Sequence, residues 1–169
     1  MEEIIFSKRL GYRHIKESDR IPLRMILSDS SVTEPAGYKM FESDDAFNEF
    51  FENLIKDENG IAVLLEHTVI GYFRSYPEHI DKEPYKEKKC VGVGFVLGKQ
   101  YHLQGYGTEM LQFWTERMKQ EHDYCFADAF IDNEASNALI RKCGYTYVED
   151  YSMYFQNLGK VMTCHSYVI

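Results

Sequence analysis

The sequence predicts a mixed α/β domain, and three observations carry that expectation. Short apolar runs of strand length, such as IAVLLE (61–66), CVGVGFVL (90–97) and DYCFADAFI (123–131), alternate with segments of helical period. One of those segments is strongly amphipathic: Phe47, Phe50, Phe51, Leu54 and Ile55 fall at i, i+3, i+4, i+7 and i+8 on one stripe. Finally, 169 residues with 44% hydrophobic and 27% charged side chains, only 4 prolines and no low-complexity tract can bury a core without a linker. A single domain spanning 1–169 is expected.

In chain order, KRLGYRHI (8–15) reads as a strand, and Ser18-Asp19 cap a helix that runs to about Leu27. SDSSVTEPAGY (28–38) has the composition of a loop. The amphipathic helix starts at Ser43 and ends before Asn59-Gly60. IAVLLE and VIGYFRS (69–75) form a hairpin turned at His67-Thr68. YPEHIDKEPYKEKK (76–89) is polar, holds two prolines and reads as a long mobile surface loop before CVGVGFVL. A helix covers Gly105 to Gln120, with Met110, Leu111, Trp114 and Met118 on one face. After strand 123–131, Glu134 to Cys143 is a short helix with Gly144 just past its end. YTYVEDYSMYF and KVMTCHSYVI close the chain as two strands around Asn157-Leu158-Gly159. The sum is about seven strands and about four helices.

Composition excludes several classes of function. Cys90, Cys125, Cys143 and Cys164 form no CxxC pair, and the six histidines form no HExxH, so neither a metal site nor a disulfide framework is expected. A net charge of −8 opposes nucleic-acid binding. No apolar run approaches the roughly 20 residues of a membrane span, and the first residues lack the order of a secretory signal, which predicts a cytoplasmic protein.

Chemistry concentrates in FVLGKQYHLQGYGTEML (95–111), where Gly105 and Gly107 stand between a strand and a helix. A helix N-terminus offers unpaired amide N–H groups and a partial positive charge, and glycine lets a phosphate approach them. No Lys-Ser/Thr pair follows as in a Walker loop, and the spacing is not GxGxxG. From the residues alone the stretch is either a diphosphate cradle or a glycine-softened turn.

This stretch resembles the acetyl-CoA signature of the GNAT superfamily of N-acyltransferases. In its common form, Gln or Arg stands three residues before a glycine that is followed, one residue on, by Gly or Ala; here the match is His102-Leu103-Gln104-Gly105-Tyr106-Gly107. DNEASNALIRKCGY resembles the superfamily's second signature through Asn133, Ser136, Lys142 and Gly144-Tyr145. KRLGYRHIKESD and AGYKMFESDDAFNEFF resemble the branch that contains the ribosomal-protein N-terminal acetyltransferases.

The resemblance implies one GNAT domain with a mixed, mostly antiparallel sheet, and acetyl-CoA as co-substrate without a metal. It implies transfer of the acetyl group to a primary amine, a protein N-terminus or a small amine, by direct attack in a ternary complex. The alternative is an acyl-CoA-binding module without turnover, and the chain is expected to be a monomer or homodimer. Main-chain groups of Phe95, Val96 and Leu97 would meet the pantetheine arm, and the strand there would splay from the next to hold the thioester. Gln104, Gly105, Tyr106, Gly107 and Thr108 would wrap the diphosphate, with His102 beside them as a partial, pH-dependent cation. Asn133, Ser136 and Asn137 would contact the pantetheine or the sulfur. Equally, Asn133 reads as a helix cap, and Ser136 and Asn137 read as polar residues on an exposed helix face.

The departures from the pattern are Ile140, where many members carry a tyrosine acid, and Gly92, where relatives in the branch often carry Glu. Ser136 and Tyr154 are therefore the first and second candidate catalytic groups, to hydrogen-bond or protonate the leaving sulfur. Glu66 or Asp132 acting through water are candidate bases, each also readable as a solvated carboxylate. No acyl-cysteine is expected, because no cysteine has an evident His partner. Acceptor recognition is expected in 33–41 and 76–89, whose Tyr38, Phe41, Tyr76 and Tyr85 are either groove linings or loop anchors.

Overall fold

The computed structural model describes residues 3–169. Its strands are β1 (Ile5–Phe6), β2 (Leu10–His14), β3 (Gly60–Leu65), β4 (Thr68–Glu78), β5 (Cys90–Leu97), β6 (Tyr124–Phe130), β7 (Thr146–Phe155) and β8 (Lys160–Val168). The α-helices are α1 (Arg20–Ile26), α2 (Ser30–Thr33), α3 (Asp44–Lys56), α4 (Tyr106–Met118) and α5 (Glu134–Lys142). The strand order is β1-β2-β3-β4-β5-β6-β8-β7. The pairs β1–β2, β2–β3, β3–β4, β6–β8 and β7–β8 are antiparallel and β5–β6 is parallel. Two compact units share strands β4 and β5: the chain up to Arg74 with Phe95–Tyr106, and Ser75–Gly94 with Gly107–Ile169.

In the first unit, β2 pairs with β3 from Leu10↔Leu65 to His14↔Ile61, and β3 with β4 from Gly60↔Arg74 to Leu65↔Thr68. The apolar stripe of α3 lies on this layer: Phe47, Phe51 and Leu54 are buried among Leu23, Leu27, Ala62, Leu64 and Tyr72, with Phe50 and Ile55 packed alongside. Burying each such side chain contributes about 1.5–3 kcal/mol. The Ser43 side chain caps α3 by accepting from the Ala46 N–H, and Asp44 and Asp45 in the first turn suit its positive end. Ahead of α1, Arg13 donates through Nη1 and Nη2 to both oxygens of Asp19 at 2.6 and 2.7 Å, with both side chains buried.

In the second unit, β5 runs parallel to β6 from Cys90↔Tyr124 to Val93↔Ala127. Strand β8 bridges β6 and β7, with a bulge in β7 between Tyr147 and Glu149. Met110, Leu111 and Trp114 of α4 are buried, and Thr115 hydrogen-bonds Tyr145 at 2.7 Å.

The expected elements are present, with three differences. A two-residue strand, β1, adds an eighth strand, and the loop over 28–38 contains α2 and a 3-10 turn at Glu34–Ala36. The Asp29 carboxylate caps α2 by accepting from the Ser31 N–H and hydroxyl. The loop expected over 76–89 is shorter, because β4 continues to Glu78. It is also anchored: the Tyr85 ring packs edge-on against Tyr124 at 4.9 Å and Phe126 at 5.1 Å, and Lys82 pairs with Glu149 at 2.7 Å.

Candidate functional site

The glycine stretch forms a tightly held turn into α4. After β5, a 3-10 turn at Lys99–Tyr101 leads to Leu103 and Gly105, both left-handed, with φ of 59° and 81°. Glycine suits the second position, whereas Leu103 is a fully exposed leucine in a conformation that costs a β-carbon-bearing residue energy. Gln104 folds back, its Nε2 donating to the Gln100 carbonyl at 2.6 Å. The His102 Nε2 must donate to the Leu97 carbonyl, 2.8 Å away, since a carbonyl only accepts. The first amides of α4 (Tyr106 onward) then lie where a 13-residue helix has no internal acceptors for them.

Sequence reasoning missed Arg9. From just before β2 its Nη1 donates to the Gln104 carbonyl at 3.1 Å, and its guanidinium lies over the Tyr106 ring, 4.4 Å from the centroid. Nη2 is 3.3 Å from where a Cβ on Gly105 would be. No local pattern signals this, because 95 residues separate Arg9 from Gln104.

Phe95, Val96 and Leu97 sit on β5 past the parallel ladder, which ends at Val93↔Ala127. Val96 and Leu97 are buried, and one edge of this stretch is fastened to β4: the Gly98 N–H donates to the Ile70 carbonyl at 2.8 Å. A Cβ on Gly71 would lie 2.0 Å from the Val96 carbonyl oxygen, so glycine is required for the strands to approach.

Two further glycines of β5 have opposite surroundings. A Cβ on Gly92 would sit 2.2 Å from the Tyr76 ring, whereas one on Gly94 would meet no atom within 4 Å. Both project to the same sheet face, as do Phe126, the parallel-strand counterpart of Gly92, and Asp128 two residues on in β6. Tyr151 Oη donates to one Asp128 oxygen at 2.9 Å. The other, Oδ1, is buried and has no hydrogen-bond partner among the described residues; Ser166 lies opposite on β8 but short of hydrogen-bond geometry. Burial raises the Asp128 carboxyl above its ordinary value, against the pull of the Tyr151 hydrogen bond. Burial, and then the charge of Asp128, raise Glu78 in the same way. Asp128 escaped sequence reasoning because it looks like one alternating position of DYCFADAFI.

The second signature folds as a capped helix start. The Asn133 Oδ1 accepts from the Ser136 N–H at 3.1 Å. Asn137 is buried, contrary to the reading of an exposed polar face: its Nδ2 donates to the carbonyls of Phe130 and Asn133 at 2.9 Å each, and its Oδ1 accepts from Tyr167 at 2.8 Å. Ser136 is half-buried, and Ile140, where a tyrosine was looked for, is core. Tyr154 is exposed on β7, and Glu66 and Asp132 are exposed in turns.

Tyr38 and Phe41 pack on α3 through Phe50 and Phe47, and Tyr76 covers Gly92, so these aromatics anchor their segments. Burial raises the thiols of all four cysteines, those of Cys125 and Cys143 to about 11, which leaves little thiolate for covalent catalysis. Among the described residues no group of three or more His, Cys, Asp or Glu could hold a metal ion, and no helix is long and apolar enough to cross a membrane.

The family model for the acetyltransferase (GNAT) domain matches residues 9–146, and the chain belongs to that family. Solved structures share the fold, among them the following three. An acetyltransferase of the GNAT family from Bacillus anthracis superposes with a TM-score of 0.81 at 17% identity, over 99% of this chain and 98% of that one. RimL, a ribosomal-protein alpha-N-acetyltransferase in complex with coenzyme A, gives 0.75 at 17% identity over 99% and 97%. A spermidine N-acetyltransferase from Vibrio cholerae in complex with CoA and spermine gives 0.74 at 12% identity, over 95% of each chain. No curated protein matches the chain in sequence.

Proposed function

We propose that the whole chain, 1–169, is one acetyl-CoA-dependent N-acetyltransferase domain acting on a primary amine, a protein N-terminus or a small amine. One observation carries the reading: the open position above Gly94 has Asp128, with a buried oxygen available for a proton, on the same sheet face. Acetyl-CoA supplies the activated acyl thioester. The first amides of α4, from Tyr106 through Gly107 and Thr108, receive its diphosphate, and the backbone of Phe95–Leu97 receives its pantetheine arm.

Asp128 Oδ1 takes a proton from the incoming ammonium, while Tyr151 keeps donating to the opposite oxygen and steadies the carboxylate. The free amine then attacks directly; the C–N bond forms, the C–S bond breaks, and the proton that the nitrogen sheds goes to the departing thiolate. Ser136 and Tyr154 stand as the candidates to meet that sulfur. Asn137 holds the start of α5 in place through its three hydrogen bonds. This reading goes with a cytoplasmic protein that needs no metal, binds no nucleic acid, and works as a monomer or homodimer.

Isothermal titration with acetyl-CoA, followed by thiol release over a panel of N-terminal peptides and polyamines, tests it. Binding with amine-dependent thiol release is expected, with an acidic limb in the pH–rate profile that Asp128→Asn removes. Failure to bind any acyl-CoA rejects the reading, and tight binding without release for any acceptor replaces it with a non-catalytic module.

A further inference from the structure

We infer that Tyr76 selects the acceptor, admitting a primary amine on a slim, unbranched aliphatic chain and turning away one branched beside the nitrogen. The inference deepens the acetyltransferase reading above and rests on it. That reading puts the reacting nitrogen over Gly94, close to Asp128, and leaves the shape of the amine open. What stands around that place on the sheet face sets the shape.

The surroundings are uneven. Over Gly94 a β-carbon would meet no atom within 4 Å. Gly92 lies two residues away, about 7 Å along the strand, and the half-buried Tyr76 ring rests over it so closely that a β-carbon there would collide. On β6 the partner of Gly92 is the buried Phe126, and Tyr85 packs edge-on against Phe126 and Tyr124, with ring centroids 5.1 and 4.9 Å apart. The rings of Tyr76, Tyr85 and Phe126 thus close the face on the Gly92 side of the open place. A ring that already lies on bare backbone cannot sink further, so Tyr76 is a stiff wall.

An amine held at Asp128 has this wall on one side and, on the acetyl-CoA reading, the thioester on another. At a tetrahedral carbon a single chain can turn away from both, but a second carbon substituent has to point at one of them. The aromatic wall also suits an alkylammonium, whose methylene groups pack on rings while its charge goes to the carboxylate. The N-terminus of a protein is branched at that carbon whenever its first residue is not glycine, so small amines are favoured over protein N-termini.

The test is steady-state thiol release at saturating acetyl-CoA by wild type, Tyr76→Ala and Tyr76→Phe, with apo melting curves alongside. The acceptors are butylamine, sec-butylamine, which has the same formula and charge but the branch, and an alanine-led tetrapeptide. Wild type is expected to favour butylamine over both others by at least about tenfold in kcat/KM, the discrimination that one methylene produces in a pocket. Tyr76→Ala should erase most of that preference by lowering KM for the branched acceptors, whereas Tyr76→Phe, which keeps the ring, should retain it. An unchanged preference in Tyr76→Ala overturns the inference, as does a wild type that favours the branched amine or the peptide. A fall in Tm with equal losses toward all three acceptors also overturns it, by reducing the ring to a structural prop. A preference lost in Tyr76→Phe as well overturns it by assigning selection to the hydroxyl. If Tyr76→Ala does not fold, Tyr76→Leu carries the same expectation. Wild type that releases no thiol with any amine rejects the acetyltransferase reading itself, whereas wild type that discriminates with Tyr76→Ala unchanged rejects only the role of Tyr76.

Discussion

Gly92 and Gly94 lie two residues apart on one strand face, and adding a single carbon to each should have opposite effects. At Gly94 the new methyl meets no atom within 4 Å, and the backbone there is not in the left-handed region. Gly94→Ala should then stabilise by about 0.4–1 kcal/mol, because the unfolded chain loses freedom and the folded chain loses nothing. For a chain of this size that is about 1–4 °C in Tm. At Gly92 the methyl would lie 2.2, 2.6 and 2.9 Å from three atoms of the Tyr76 ring. Carbon atoms rest at about 3.5–4.0 Å, so the ring must move by more than about 1 Å. Gly92→Ala should cost about 1–3 kcal/mol, or roughly 2–12 °C. The functional arm is Gly94→Leu, whose side chain fills the open position: it should fold near wild-type stability and lose at least about tenfold in kcat/KM, a barrier increase of about 1.4 kcal/mol. Differential scanning calorimetry and thiol-release kinetics on the three variants decide the matter. A Gly94→Leu enzyme with kcat/KM within twofold of wild type would refute the placement of the acyl site, and equal destabilisation by the two alanines would refute the packing argument.

Asp128→Asn should remove turnover yet raise Tm at neutral pH. The folded carboxyl titrates above its unfolded value, so its stabilising contribution is present at low pH and is lost as pH rises through the folded pKa; melting curves should show the gain shrinking toward pH 4. Arg13→Ala, which strands the buried Asp19 carboxylate, should cost about 3–5 kcal/mol in urea unfolding, and Arg13→Met with Asp19→Leu should cost less than that single change. Asn137→Ala should destabilise by about 1–3 kcal/mol, since it removes three hydrogen bonds of a buried amide, to the Phe130 and Asn133 carbonyls and from the Tyr167 hydroxyl, and should speed hydrogen exchange at the start of α5.

The sequence disclosed most of the fold because its signals are local. The phenylalanine stripe of α3, the Ser43 cap and the strand-length apolar runs can each be read within a window of a dozen residues. Where local signal is weak, reading failed. SSVT makes a poor helix, and α2 exists because Asp29 caps it and Val32 is buried. Two residues of β1 carry no period, and Tyr76–Glu78 join a strand despite Pro77. The glycine turn was legible as a motif, but its clasp by Arg9 was not, since Arg9 meets Gln104 only through the fold. Nor does a sequence distinguish a glycine pressed by a ring from one facing open space, as Gly92 and Gly94 require.

Tyr76 against Gly92 also bears on which sequences lie within one substitution of this one. Relatives in the resembling branch often carry Glu at the place of Gly92, but here a side chain added alone would collide with the Tyr76 ring. Removing the ring alone would give up its packing over a bare glycine. Both single steps are losses, so the two positions can exchange only together, and the pair forms an epistatic barrier. A lineage that has settled on this arrangement would not readily recover a glutamate on β5 and would keep its carboxylates on the neighbouring strands, as Glu78 of β4 and Asp128 of β6 do here.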